Sequence, residues 1–187
     1  MVRWKPDAVG RLIQAAVTLF GERGYEATTV AEIAEAAGLT KRTFFRYFAD
    51  KREVLFMGSE QLQECWVMAL THAPPGAGAM RAVDAGLDAV AELFVDRHAL
   101  ARMRAQIIAT NPELQERELI KLAKLASALA EALRARGIAD APAELAAQTG
   151  VTVFHCAFGR WVQQDDPRAL RRLIDESFAE LQAVVAA

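Results

Sequence analysis

Lys41, Arg42, Thr43 and Arg46 fall within six residues of one another and offer the groups that hydrogen-bond to base edges in the major groove. An arginine at such a position can donate two bonds to guanine O6 and N7. Between Thr40 and Arg52 there are five basic residues and one acidic residue, Asp50, although the whole chain carries a net charge of −2. The imbalance is local: residues 1–56 hold nine Lys/Arg against seven Asp/Glu, and the remaining residues carry a net −4. Exposed charges beyond about 8 Å are screened at physiological salt, so the local sign decides how phosphate is attracted.

Presenting these side chains requires a helix held from behind. Thr29 and Glu32 form a capping-box pattern, which predicts a helix starting at Val30, with Val30, Ile33, Ala34 and Ala37 on its apolar side. Gly38 supplies the left-handed residue that ends this helix, Leu39 turns inward, and Thr40 caps a second helix over 41–48. On that second helix Phe44 and Phe48 face inward among the basic residues. Asp50 with Glu53 repeats the cap for a further helix. Two short helices about a tight glycine turn, the second of them basic, make a helix-turn-helix.

From Ala16 to Lys51 the run A-x-x-L-F-x-x-x-G-Y-x-x-T-T-V-x-x-I-A-x-x-A-G-L-T-x-x-T-F-F-x-Y-F-x-D-K resembles the DNA-binding domain of TetR-type transcriptional regulators. The resemblance covers about the first third of the chain. It implies that Thr29, Thr40, Tyr47 and Lys51 touch phosphates while Lys41, Arg42, Thr43 and Arg46 face bases. Phe45 belongs to the same DNA-facing set, but it stands where the family most often has tyrosine, so one phosphate-directed hydroxyl is missing. Ala31 likewise replaces a polar side chain that many relatives carry.

Composition agrees with an all-α chain: hydrophobic residues make up 53%, with much Ala and Leu and little β-branching. A first helix spans 7–23 with a stripe of Leu12, Ile13, Ala16, Val17 and Phe20, and Tyr25 fills the seam beside it. One helix over 51–70 joins an N-terminal helix-turn-helix domain, 1–51, to a C-terminal domain, 52–187. The Pro/Gly run 71–79 ends that helix. Helices follow at 80–96, 99–109, 111–136, 143–164 and 167–185. Residues 1–6, with Arg3 and Lys5, read as a short basic arm. No apolar run reaches the roughly 18 residues that a membrane span needs, and Cys65 and Cys156 lack partner spacing, so a reduced cytoplasmic setting is expected.

Enzymatic chemistry finds no footing. His72, His98 and His155 have no ligand or acid–base partner at helical spacing, and there is no phosphate loop or nucleophile elbow. No metal, cofactor or catalytic residue is expected. Phe94, Met103, Ile107, Leu122, Phe154, Phe158 and Trp161 could line an apolar cavity or form plain core, and Arg102, Arg104 and Arg117 could hold an anionic head group or face solvent. N-P-E-L-Q-E-R-E-L at 111–119 and A-F-G-R-W at 157–161 resemble the TetR-type branch associated with acyl-CoA-like effectors, which implies such a ligand. The family resemblance further implies a homodimer, paired through 143–164 and 167–185, on a double-stranded pseudopalindromic operator. The alternative is a helical ligand-binding or scaffold protein whose helix-turn-helix contacts another protein.

Overall fold

α1 (Ala8–Arg23) starts on Asp7, whose carboxylate accepts the Gly10 amide at 2.7 Å, and ends at Gly24, where φ is +87°. The computed structural model describes residues 7–186, so the basic arm expected at residues 1–6 lies outside the described residues. Among them the chain is helical throughout, with no strand. α2 is Val30–Ala36, α3 Lys41–Tyr47, α4 Glu53–Phe56, α5 Gly58–Thr71, α6 Ala79–Phe94, α7 His98–Ala109, α8 Pro112–Ala135, α9 Asp140–Trp161 and α10 Leu170–Ala186. A single 3-10 turn, Val95–Arg97, joins α6 to α7. The all-α expectation holds, and most boundaries fall within three residues of the sequence reading.

The expected single helix over 51–70 is instead two. It begins at Glu53, because the Asp50 carboxylate accepts the Arg52 and Glu53 amides at 2.8 and 3.2 Å, and Met57 divides α4 from α5. Met57 keeps right-handed helical backbone, with φ −56° and ψ −32°. The turn is therefore interrupted without a change of hand.

The chain folds as two compact units. The first comprises the residues up to Gly58 together with Ala99–Glu116. Its core gathers Leu12, Ala16, Val17, Phe20 and Tyr25 with Ile33, Ala34, Phe44, Phe48 and the α4 residues Val54, Leu55 and Phe56. Ile107, Ile108 and Leu114 complete it, so α7 and the first turn of α8 are parts of this unit. Each large apolar side chain removed from water here contributes roughly 1.5–3 kcal/mol. Two polar contacts fasten the same elements: Arg104 Nε donates to the Leu55 carbonyl at 2.7 Å, and Arg52 pairs with Glu113 at 3.0 Å.

The second unit comprises Ser59–His98 and the chain from Arg117 onward. α9 is buried along Ala143, Ala146, Ala147, Gly150, Val151, Phe154, Ala157 and Trp161, and packs against α6 and α10. Trp66, fully buried, donates its Nε1 proton to the Val83 carbonyl at 3.0 Å. The Trp66 and Val83 side chains reach α6 and α9 only because Gly86 and Gly150 lack a Cβ. Arg136 donates to the carbonyls of Thr71, Ala73 and Pro74, holding the loop that the sequence marks as a boundary. On α10, Arg171 pairs with Asp84 and Asp88 of α6 and with Asp175.

Gly86 gives a prediction in which two effects oppose. Alanine favours a helix over glycine by about 1 kcal/mol. A Cβ at this position would stand 2.0 Å from Trp66 Cδ1 and 3.1 Å from the Trp66 carbonyl oxygen, atoms of a buried ring and a backbone that cannot swing aside. Overpacking should win, and Gly86→Ala should lower the urea midpoint by a net ~1–3 kcal/mol of stability. A raised midpoint would mean that the ring yields.

Candidate nucleic-acid interface

The capping box at α2 forms as its residues dictate. Thr29 Oγ1 accepts the Glu32 amide at 3.3 Å, and the Glu32 carboxylate accepts the Thr29 amide at 2.8 Å. That amide, and then the Thr29 hydroxyl, hold the Glu32 carboxyl below its ordinary range. At the other end Gly38 has φ +65°, and the Leu39 amide reaches back to the Ala34 carbonyl at 2.8 Å. Arg11 of α1 donates to the Ala37 carbonyl at 2.6 Å, closing the same turn from outside. Thr40 then caps α3 through the Thr43 amide at 3.2 Å, its hydroxyl 3.0 Å from that of Thr43.

α3 is only seven residues long and could not persist alone in water. Phe44 and Phe48, 0% and 2% exposed, pin it to the core and fix which side looks out. Lys41, Arg42, Phe45, Arg46 and Tyr47 are exposed, and Thr43 is half-buried. Arg46 donates to the Tyr47 hydroxyl at 2.7 Å with its guanidinium 4.7 Å from the ring centre, so these neighbours form one polar, cationic group. Thr29 and Thr40 are exposed as well. The outward surface of α3 is thus cationic along its length.

Lys51 sits differently from the others. Half-buried, it donates to the carbonyls of Tyr25 and Thr28 at 2.7 and 3.1 Å, with Nζ 4.0 Å above the Tyr25 ring. Two of its three protons hold the segment that leads into α2, which leaves one for a phosphate. The Tyr25 hydroxyl is raised above its ordinary pKa, first by burial and then by Glu113. The Arg52 guanidinium, bonded to Asp50 at 2.7 Å, keeps the Asp50 carboxyl below its ordinary range. The contacts of Arg11 with the Ala37 carbonyl and of Arg52 with Glu113 join residues distant along the chain, so no local spacing betrays them.

The eight residues considered for an effector divide between the two units. Phe94, Phe154, Phe158 and Trp161 form one aromatic cluster in the second unit, with ring centres 5.3–6.1 Å apart, and Leu122 is half-buried in that unit. His98 closes the cluster on one side. Its Nε2 lies 3.2 Å from the Trp161 carbonyl, which can only accept, so that nitrogen carries the proton. Met103, Arg104 and Ile107 lie in the first unit, where Ile107 is core and the Arg104 guanidinium lies 5.0 Å from the centre of the Phe56 ring. Met103 and Ile107 also line an open groove of about 700 Å³ against residues 17–18 and 20–27. Cys65 and Cys156 are both free thiols. Among the described residues no group of three or more His, Cys, Asp or Glu could hold a metal ion, and no helix is long and apolar enough to cross a membrane.

Comparison with known proteins matches both parts of the chain. The family profile described as "Bacterial regulatory proteins, tetR family" fits residues 12–56, and the profile "MftR C-terminal domain" fits residues 77–186. The HTH-type transcriptional regulator TcmR of Streptomyces glaucescens is 32% identical over 161 residues, covering 83% of this chain and 71% of TcmR. Among solved structures, Thermus thermophilus FadR, a transcriptional repressor in complex with lauroyl-CoA, is 26% identical with a TM-score of 0.55, covering 93% of each chain. Bacillus subtilis FadR, solved with stearoyl-CoA, shares the fold at 21% identity and a TM-score of 0.58, over 90% of this chain and 96% of that one.

The Asp50–Arg52 pair sets a pH dependence. A carboxyl whose folded pKa lies below its unfolded value, about 3.9, stabilises the fold above that value and loses its contribution as pH falls through the folded one. Asp50→Asn should therefore be less stable than wild type at pH 7, and the gap should shrink on acidification below about pH 4. Urea midpoints at pH 7 and pH 3 measure this; an unchanged gap would remove the ionised Asp50 from the account.

Proposed function

The chain belongs to the TetR family of bacterial regulatory proteins and is a DNA-binding transcriptional regulator, not an enzyme, and from that premise we propose that it is a cytoplasmic repressor working as a homodimer on a pseudopalindromic operator. One observation carries the proposal: α3, pinned by Phe44 and Phe48, turns Lys41, Arg42, Phe45 and Arg46 outward on a single cationic face. Lys41, Arg42, Thr43 and Arg46 would face the bases and Thr29, Thr40, Tyr47 and Lys51 the phosphates, with Phe45 on the same DNA-facing side. Two such helices about one helical turn apart (~34–36 Å), or a multiple of it, would fit the two half-sites. In this reading residues 1–51 read DNA, and 52–187 bind effector and dimerise.

The dimer surface we propose is formed by 143–164 and 167–185, that is, α9 and α10. Leu145, Val184 and Val185 are 68%, 75% and 78% exposed there, and the α9 face through Gln148, Thr152, His155 and Gly159 is uncovered in the single chain. An acyl-CoA-like effector is favoured by the likeness to the lauroyl-CoA complex and by the aromatic cluster of Phe94, Phe154, Phe158 and Trp161. The segment 51–70, α4 with α5, is the lever in this scheme. To release DNA a hundredfold, the effector must bind the non-reading form better by about 2.7 kcal/mol.

Duplexes enriched from a random-sequence pool, followed by titrations at several salt concentrations, test the proposal. Arg42→Ala should weaken binding by ~1–3 kcal/mol and relax specificity at one base pair. Lys51→Ala should weaken all sequences alike and lower the salt slope by about one. Equal salt slopes for Lys51→Ala and wild type would remove Lys51 from the phosphate contacts. Lauroyl-CoA should displace the protein from the enriched duplex; tight DNA binding that persists with the thioester bound would contradict its role as inducer.

A further inference from the structure

We propose that Phe45 specifies a thymine in each half-site by packing its ring on the thymine C5-methyl group, a step that rests on the DNA-reading role assigned to α3. Phe45 is 48% exposed, which makes it the most exposed large apolar side chain on the short helices α2 and α3. It lies one turn after Lys41 and one turn before Phe48, on the flank of α3 between the buried Phe44/Phe48 stripe and the outward Arg42 and Arg46. The ring is held edge-on to Phe44, with centres 5.6 Å apart and planes at 81°, and Phe44 is fully buried. The core therefore fixes where the exposed ring points. Lys41 Nζ lies over one face of the ring, 5.9 Å from its centre, and Phe45 stays 48% exposed.

A phenyl ring has no donor or acceptor to offer a base edge and no hydroxyl to offer a phosphate. Of the groups that base pairs present in the major groove, the thymine C5-methyl is the apolar one. Tyr47 forms the contrast on the same helix: its ring lies under the Arg46 guanidinium and its hydroxyl accepts from Arg46, which leaves the O–H proton for a phosphate. The two aromatic residues thus divide between an apolar contact and a charged one.

Burying one methyl group is worth about fourfold in affinity, and so about fifteenfold when both half-sites lose it. The test takes duplexes enriched from a random pool by the full-length protein and replaces each thymine in turn by deoxyuridine, which removes only the methyl. We expect one thymine per half-site whose replacement weakens wild-type binding about fourfold, and no such sensitivity at that position in Phe45→Ala. The uridine scan on wild type stands by itself even if the variant folds poorly. Enrichment with no methyl-sensitive thymine, or with sensitivity that persists in Phe45→Ala, would overturn the thymine assignment alone. Failure to enrich any duplex would overturn the DNA-reading role, and this inference with it.

Discussion

Two phenylalanines four residues apart govern this molecule. A helix of seven residues has too few internal hydrogen bonds to offset the entropy of forming it, so α3 exists only because Phe44 and Phe48 are buried in the core behind it. Once they are fixed, the helical repeat leaves no choice about the remaining residues. Arg42 and Arg46 must point away from the core, while Lys41 and Phe45 flank the buried stripe and stay exposed at its edge. The caps at Thr29 and Thr40, and the left-handed Gly38 between them, set the angle at which the two helices meet. The face is cationic, and the burial behind it makes it rigid.

The first unit is held by chain from two places. Residues 99–116 supply Ile107, Ile108 and Leu114 to its core, and Arg104 and Glu113 to its polar contacts. Arg104 on the Leu55 carbonyl and Glu113 on Arg52 both act at α4, the element that follows the helix-turn-helix directly. Displacement of α7 must therefore strain the Arg104 contact with the Leu55 carbonyl, and displacement of the first turn of α8 the ion pair of Glu113 with Arg52. Lys51 adds a third fastening, because its bonds to Tyr25 and Thr28 join the end of the helix-turn-helix to the segment before α2.

Signals confined to one turn of chain were legible in the sequence. The Thr29–Glu32 box, the Gly38 stop, the Thr40 cap and the Phe44/Phe48 spacing are each set by neighbours within four residues, and each takes the expected form. Interactions between distant segments were not legible. The membership of α7 in the first unit depends on packing across some fifty residues, and the Tyr25 and Thr28 carbonyls that Lys51 holds lie more than twenty residues before it. The same holds for Gly86 and Gly150, ordinary helix weakeners in sequence and close-packing sites beside Trp66 and Val83 in space. At the break Gly58 follows Met57 directly, a helix weakener that the single-helix expectation passed over. As for the effector set, its aromatic members do meet in one cluster, whereas Met103, Arg104 and Ile107 belong to the first unit.

The central claim is that the outward face of α3 lies in a major groove. Methylation interference on a duplex enriched by the protein tests it most directly, because guanine N7 lies in the major groove and adenine N3 in the minor. The account predicts that methyl groups at guanine N7 block binding in two patches about one helical turn apart, or a multiple of it. Interference confined to adenine N3, or none at guanine N7 in a site that contains guanine, would contradict it.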